Sequence, residues 1–191
     1  MKPTGPGQSA FLLCSLVPCL DDLGIAYGVI GALAASFHGV PRSSLDADAV
    51  LALTGVPQGV ERLASKFENL GMQVRVVRGD AEDPVQGLIQ VTDSFGNRVD
   101  FLTGLRGLAP DFTTRTIPAP VAGCTLRIVG LEDFVAMKLF AGGPKDLQDA
   151  AEACLVSGAN LQLDLLRTLT ANYGRETLER LDRLLSQLDR R

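Results

Sequence analysis

The sequence has no tryptophan, a single histidine (His38) and only 5% aromatic residues. One histidine excludes histidine-rich zinc sites and leaves little room for a Ser–His–Asp hydrolase. We interpret His38 as a solvated or helix-terminal residue. The four cysteines show neither a C-x-x-C pair nor zinc-site spacing, so we interpret them as small core residues in a reducing cytosol. They are Cys14, Cys19, Cys124 and Cys154.

Glycine-rich phosphate motifs, long apolar runs and a positive net charge are also missing. Neither G-x-x-x-x-G-K-[ST] nor G-x-G-x-x-G occurs, which excludes P-loop and Rossmann nucleotide sites. The net charge of −4 provides no general basic field for nucleic acid.

No apolar run reaches the ~18 residues of a membrane span. The apolar residues between Leu12 and Leu20 share one helical face, which favours a helix over a signal peptide. We therefore expect a cytoplasmic protein without a membrane partner.

The sequence does contain alternating helix and strand patterns, which are typical of an α+β (α/β-like) fold. The predicted strands span residues 26–31, 47–53, 72–77, 87–91, 97–102 and 125–129. Helices are predicted near the N-terminus and over 32–38, 57–70, 131–140, 145–156, 161–173 and 176–189. Residues 103–123 contain three prolines and are predicted to be an irregular connection. These patterns predict a mixed-sheet core over residues 1–130 and a helical segment over 131–191, packed on the core.

Two aspartates, Asp46 and Asp48, lie at the start of the second predicted strand. Because side chains alternate along a strand, Asp46 and Asp48 lie on one face, about 7 Å apart along the chain. Each raises the pKa of the other unless a cation lies between them, and Mg²⁺ prefers such oxygen ligands. The alternative interpretation is an Asp pair that only caps the preceding turn.

Three segments in order resemble nucleotidyltransferases of the DNA polymerase beta type. More narrowly, they resemble the minimal bacterial enzymes that include AbiEii-like abortive-infection toxins. The resemblance covers roughly residues 24–156. Its segments are IGALAASFHGVPRSSLDADAV (30–50), RVDFL (98–102) and LEDFVAMKLFAGGPKDLQDA (131–150).

This resemblance implies an Mg²⁺-dependent enzyme that moves a nucleoside monophosphate from an NTP to an RNA or protein acceptor. A role as a toxin–antitoxin component, with an antitoxin or a second copy as partner, is implied as well. The implied catalytic and metal-binding residues are Asp46, Asp48 and Asp100. The implied nucleotide-binding residues are Gly31, Ala32, Arg42, Ser43, Ser44 and Lys138.

Two departures from the family pattern support a second hypothesis, a catalytically silent binding or regulatory protein of the same fold. Ala32 stands where the family has a glycine or serine, and Gly142–Gly143 where many relatives carry an arginine.

Lys138 lies on an apolar helix face, so its ammonium group must snorkel, pair with an aspartate or bind phosphate. Asp146, at a helix start, is interpreted as a cap or helix-dipole partner.

Overall fold

The computed structural model describes residues 2–80, 82–121 and 123–188. These residues form a mixed α and β structure, as the sequence predicts. The strands are β1 (Ala26–Ile30), β2 (Asp46–Ala52), β3 (Gln73–Arg78), β4 (Val85–Thr92), β5 (Arg98–Leu105), β6 (Ile117–Val121) and β7 (Cys124–Ile128). The α-helices are α1 (Ser9–Asp22), α2 (Gly31–Phe37), α3 (Gly59–Asn69), α4 (Leu131–Ala141), α5 (Pro144–Ser157), α6 (Leu163–Ala171) and α7 (Arg175–Leu188). Short 3₁₀ turns span Phe112–Arg115 and Gly158–Asn160.

The strands form a seven-stranded sheet in the order β3-β4-β5-β2-β1-β7-β6. The β2–β5 and β1–β7 pairs are parallel, and the other neighbours are antiparallel. Strand β2 is central, as its apolar residues predict. Phe67 of α3 stacks on Phe101 of β5, with ring centroids 5.4 Å apart. Because side chains alternate along β5, Asp100 lies on the opposite face of the sheet from this helix.

Strand β6 lies in the region that the sequence analysis predicts to be irregular, and that prediction is wrong. The strand contains Pro118 and Pro120, which lack the N–H groups that a central strand needs. It pairs only with β7, at the edge of the sheet, where proline is tolerated. The other predicted elements are present with shifted ends, and the end predicted for the last helix, residue 189, lies outside the described residues.

The prediction that all four cysteines are reduced is wrong for two of them. Cys14 of α1 and Cys124 of β7 form a disulfide, with Cα atoms 6.0 Å apart. The pair is 110 residues apart in the sequence, so local spacing gives no signal of it. Cys19 and Cys154 are buried free thiols, as predicted.

Helices α4 to α7 follow β7 in the chain and pack against one another. A side chain of α7 caps the C-terminal end of α4. Nη1 of Arg180 donates hydrogen bonds to the carbonyl oxygens of Leu139 (2.7 Å) and Phe140 (3.0 Å). Gly142 follows in a left-handed conformation, and a Cβ atom there would lie 2.1 Å from that nitrogen. The left-handed conformation and the close approach of Arg180 both favour glycine at position 142. None of the helices in the described residues combines the length and apolar character needed to cross a bilayer.

Candidate active site

Three carboxylates come together where β1 ends and β2 begins. Asp46 and Asp48 lie on one face of β2, and Asp48 is directly opposite Asp100 in the parallel ladder with β5. One carboxylate oxygen from each residue lies within 4.8 Å of the other two. This is a set of hard oxygen donors of the kind that Mg²⁺ binds.

The surroundings move the pKa values of the two β2 carboxyl groups in opposite directions. Burial raises the pKa of Asp48 to about 6, and the charges of Asp46 and Asp100 add to the increase. The Ser44 hydroxyl group lowers the pKa of Asp46 by donating a hydrogen bond, and Arg98 adds to the decrease. Asp48 is therefore the carboxyl group whose charge most needs a cation.

Gly31 brings the start of α2 against the Asp48 carboxylate. Its φ angle is +63°, and a Cβ atom at this position would lie 2.1 Å from Oδ2 of Asp48. Only glycine allows both this conformation and this approach. The residue thereby places Ala32 and the first turn of α2 beside the carboxylates.

A cleft of about 220 Å³ lies next to the carboxylates, between the start of α1, α2 and the turn before β2. Its lining includes Ala32, Arg42, Ser43 and Ser44, four of the residues predicted to contact the nucleotide. A larger cavity of about 530 Å³ is found toward the opposite end of β2, and none of the three carboxylates lines it. We place the candidate site at the smaller cleft because Asp46 lines it, whereas none of the three carboxylates lines the larger cavity.

Arg42 and Lys138 share one acidic partner, Asp149 of α5. The Arg42 guanidinium pairs with Asp149, whose carboxylate also lies 2.9 Å from the Lys138 ammonium group. A second aspartate, Asp146, lies 2.7 Å from the same ammonium group. The sequence left three roles open for Lys138, which are snorkelling, pairing with an aspartate and binding phosphate. The structure shows Lys138 paired with aspartates. Asp146, interpreted as a cap or helix-dipole partner, lies in the first turn of α5, makes no side-chain cap hydrogen bond and is a partner of Lys138.

Two side chains of the site, Arg98 and Gln90, were not predicted from the sequence. Arg98 pairs with Asp46, and its Nε atom lies 3.5 Å from Oδ1 of Asp100. Nε2 of Gln90 donates a 3.2 Å hydrogen bond to the same oxygen. Arg98 precedes Asp100 by two residues in one strand, so alternation alone would have placed both on one face. The position of Gln90 beside Asp100 follows only from the register of β4 and β5.

His38 and the Glu132–Asp133 pair at the start of α4 also have structural partners. His38 lies at the C-terminal end of α2, and its Nε2 atom is 2.9 Å from the Val129 carbonyl oxygen. Burial lowers the pKa of His38. In the E-D pair of α4, Asp133 accepts two hydrogen bonds from Arg115, at 2.7 and 2.9 Å. Glu132 accepts one from the backbone N–H of Gln162. These residues position the helices around the site.

Comparisons with known proteins agree with this architecture. A family model described as "Nucleotidyltransferase of unknown function (DUF6036)" matches residues 16–186. No curated protein sequence matches the chain. The crystal structure of ANT(2″)-Ia in complex with adenylyl-2″-tobramycin is 16% identical, with a TM-score of 0.58, over 85% of this chain and 97% of that one. An antigenic nucleotidyltransferase-like protein from Paracoccidioides brasiliensis is 16% identical, with a TM-score of 0.54, over 88% of both chains. At such identities the likeness shows the fold.

Proposed function

Because the chain belongs to the DUF6036 family of nucleotidyltransferases, we propose that it transfers a nucleoside monophosphate from an NTP to an acceptor hydroxyl group. The observation that carries this proposal is the cluster of three carboxylates beside a cleft. In the transfer, a bond forms between the acceptor oxygen and the α-phosphorus. The bond from that phosphorus to the oxygen bridging to the β-phosphate breaks, and pyrophosphate leaves.

We propose Mg²⁺ as the metal of this site. The fit rests on the three clustered oxygen donors and on the buried Asp48, whose charge needs compensation. When bound, the metal would neutralise the triphosphate and activate the acceptor hydroxyl group. Asp46 and Asp48 would hold it against the phosphates. Asp100 would help to hold a second Mg²⁺ and would accept the proton that the acceptor hydroxyl group loses.

The triphosphate would lie in the cleft beside α2. Arg42, Ser43 and Ser44 line this cleft. Backbone N–H groups at Gly31 and Ala32 would supply donors in place of the missing serine hydroxyl. Lys138 would add positive potential, since its charge opposes the increase in the pKa of Asp48.

The acceptor in this proposal is a hydroxyl group of RNA or of a protein side chain, and the chain acts as a toxin component with an antitoxin or a second copy as partner. Support for the acceptor and toxin role comes from the resemblance to abortive-infection enzymes. The solved structure of ANT(2″)-Ia contains an adenylylated small molecule, so the fold also serves a small acceptor in that protein. We propose residues 1–130 as the catalytic core, with the helices of 131–191 contributing Lys138.

A catalytically silent protein of the same fold is the second candidate. Ala32 supports it, because this position offers no hydroxyl group to the triphosphate. The ion pair between Arg98 and Asp46 supports it as well, because it engages a proposed metal ligand. Such a protein would bind a nucleotide or a partner without transferring a nucleotidyl group.

A transfer assay separates the two candidates. Each α-³²P-labelled NTP is incubated with Mg²⁺, the protein and total RNA, total protein or the small-molecule fraction from a bacterial lysate. The proposal predicts Mg²⁺-dependent labelling of one fraction, lowered roughly a hundredfold or more in a folded Asp100→Asn variant. Nucleotide binding without labelling of either fraction or of a small molecule would instead support the silent protein.

A further inference from the structure

Arg98 is a cation inside the carboxylate cluster. It lies directly opposite Asp46 in the β2–β5 ladder and two residues before Asp100 on its own strand. Its guanidinium pairs with Asp46, and its Nε atom is 3.5 Å from the Asp100 carboxylate. The two acidic partners of Arg98 are therefore two of the three proposed metal ligands.

The carboxylates do not satisfy every hydrogen-bond donor of this guanidinium. Its Nε atom is buried and has no hydrogen-bond partner among the described residues. The Arg98 side chain as a whole is 43% exposed, and its ion pairs within the described part of the chain are those with Asp46 and Asp100. The guanidinium can therefore leave the cluster toward solvent without unpacking the core.

Arg98 and a divalent cation place conflicting demands on the same oxygens. Mg²⁺ requires close, nearly octahedral oxygen ligands at about 2.1 Å, and it repels a guanidinium nearby. A nucleotide removes the conflict, because its phosphates provide a bidentate partner for the arginine.

Building on the proposed function, we propose that Arg98 couples metal binding to nucleotide binding. Arg98 competes with a divalent cation for Asp46 and Asp100. When the metal–nucleotide complex enters, the guanidinium exchanges its carboxylate partners for a phosphate of the nucleotide. Free metal alone therefore binds weakly, and nucleotide strengthens metal binding. The coupling is reciprocal, since each ligand raises the affinity for the other by the same factor.

The test is a Mn²⁺ titration, followed by electron paramagnetic resonance, with and without a non-hydrolysable NTP analogue. Mn²⁺ bound to the analogue alone is measured separately and subtracted. We expect Arg98→Gln to bind Mn²⁺ alone about tenfold more tightly than the wild type, because a nearby like charge is removed. The analogue should tighten Mn²⁺ binding about tenfold or more in the wild type and less than threefold in the variant. Arg98→Lys keeps the charge without the bidentate group, so it should bind Mn²⁺ alone as the wild type does, with intermediate coupling.

Arg75→Gln is the matched control. Arg75 lies two strands from β5, on the exposed edge strand β3, and its removal changes the net charge by the same amount. It should change Mn²⁺ affinity less than twofold. Equal Mn²⁺ affinity of the wild type and a folded Arg98→Gln variant, or unchanged coupling, would overturn the inference alone. If no variant binds Mn²⁺ with or without the analogue, the proposed function fails and the inference with it.

Discussion

At the scale of single residues, the candidate site concentrates negative charge. The buried part of that charge lowers the stability of the fold. Asp48 is buried beside two other carboxyl groups, and its pKa is raised to about 6. Asp46, two residues earlier, has hydrogen-bond donors in Ser44 and Arg98 and a lowered pKa. Ionised Asp48 therefore destabilises the fold, whereas ionised Asp46 stabilises it.

We predict that Asp48→Asn raises the free energy of unfolding at about pH 8. The native state holds the Asp48 proton up to about pH 6, whereas the unfolded chain releases it near 3.8, so the destabilisation grows between these values as pH rises. The gain should be at most about 3 kcal/mol at pH 8 and close to zero at about pH 4. Urea unfolding at several pH values measures it. Asp46→Asn should lower stability at pH 8, and a gain for Asp48→Asn that does not change with pH would contradict the account.

Sequence patterns place some of these residues and leave others hidden. Strand alternation predicts that Asp46 and Asp48 share a face, as they do. The place of Asp100 depends on the parallel pairing of β2 with β5, which no local pattern predicts, and only the family resemblance grouped Asp100 with the other two aspartates. The partners of Lys138 depend on how α4 and α5 pack, and no local pattern encodes that packing.

At the scale of elements, the junction between β1 and α2 determines the shape of the site. The chain turns at Gly31 in a left-handed conformation, and the Asp48 carboxylate occupies the space of the missing side chain. The alternation of helices and strands is predictable because apolar periodicity is a local property. Strand β6 was missed because its two prolines are compatible with a strand only at a sheet edge, and edge position is a property of the whole sheet.

We predict that Gly31→Ala weakens binding of a metal–nucleotide complex by roughly tenfold or more, because the new Cβ atom displaces the Asp48 carboxylate. Isothermal titration calorimetry measures the affinity. Gly24→Ala is the matched control, since Gly24 has a φ angle of +64° and a Cβ atom there would meet no other atom within 4 Å. Both variants should lose about 1–2 kcal/mol of stability through backbone conformation, and only Gly31→Ala should lose affinity. Equal affinities would contradict the role given to Gly31.

At the scale of the whole molecule, one covalent bond connects the two ends of the sheet-bearing region. The disulfide between Cys14 and Cys124 ties α1 to β7, across 110 residues that contain all three carboxylates. A cross-link over so long a segment restricts the unfolded chain strongly. The four-cysteine composition gave no indication of it, because the bond depends on two distant elements meeting in the fold.

We predict that reduction of this disulfide lowers the free energy of unfolding by about 2–4 kcal/mol. Chemical unfolding with and without a thiol reductant measures the change. The Cys14→Ser/Cys124→Ser double variant should show the lower stability in both conditions. In denaturant without reductant, thiol titration should detect the two free cysteines, Cys19 and Cys154, in the wild type. Four reactive thiols in the non-reduced protein would contradict the pairing.

The central claim is that Asp46 and Asp48 hold a metal–nucleotide complex. The most direct test is a calorimetric titration of each NTP with Mg²⁺ into the wild type and into an Asp46→Asn/Asp48→Asn double variant. The account predicts Mg²⁺-dependent binding of at least one NTP to the wild type, weakened roughly a hundredfold or more in the folded double variant. Equal binding by both proteins, or no binding of any NTP to the folded wild type, would contradict it.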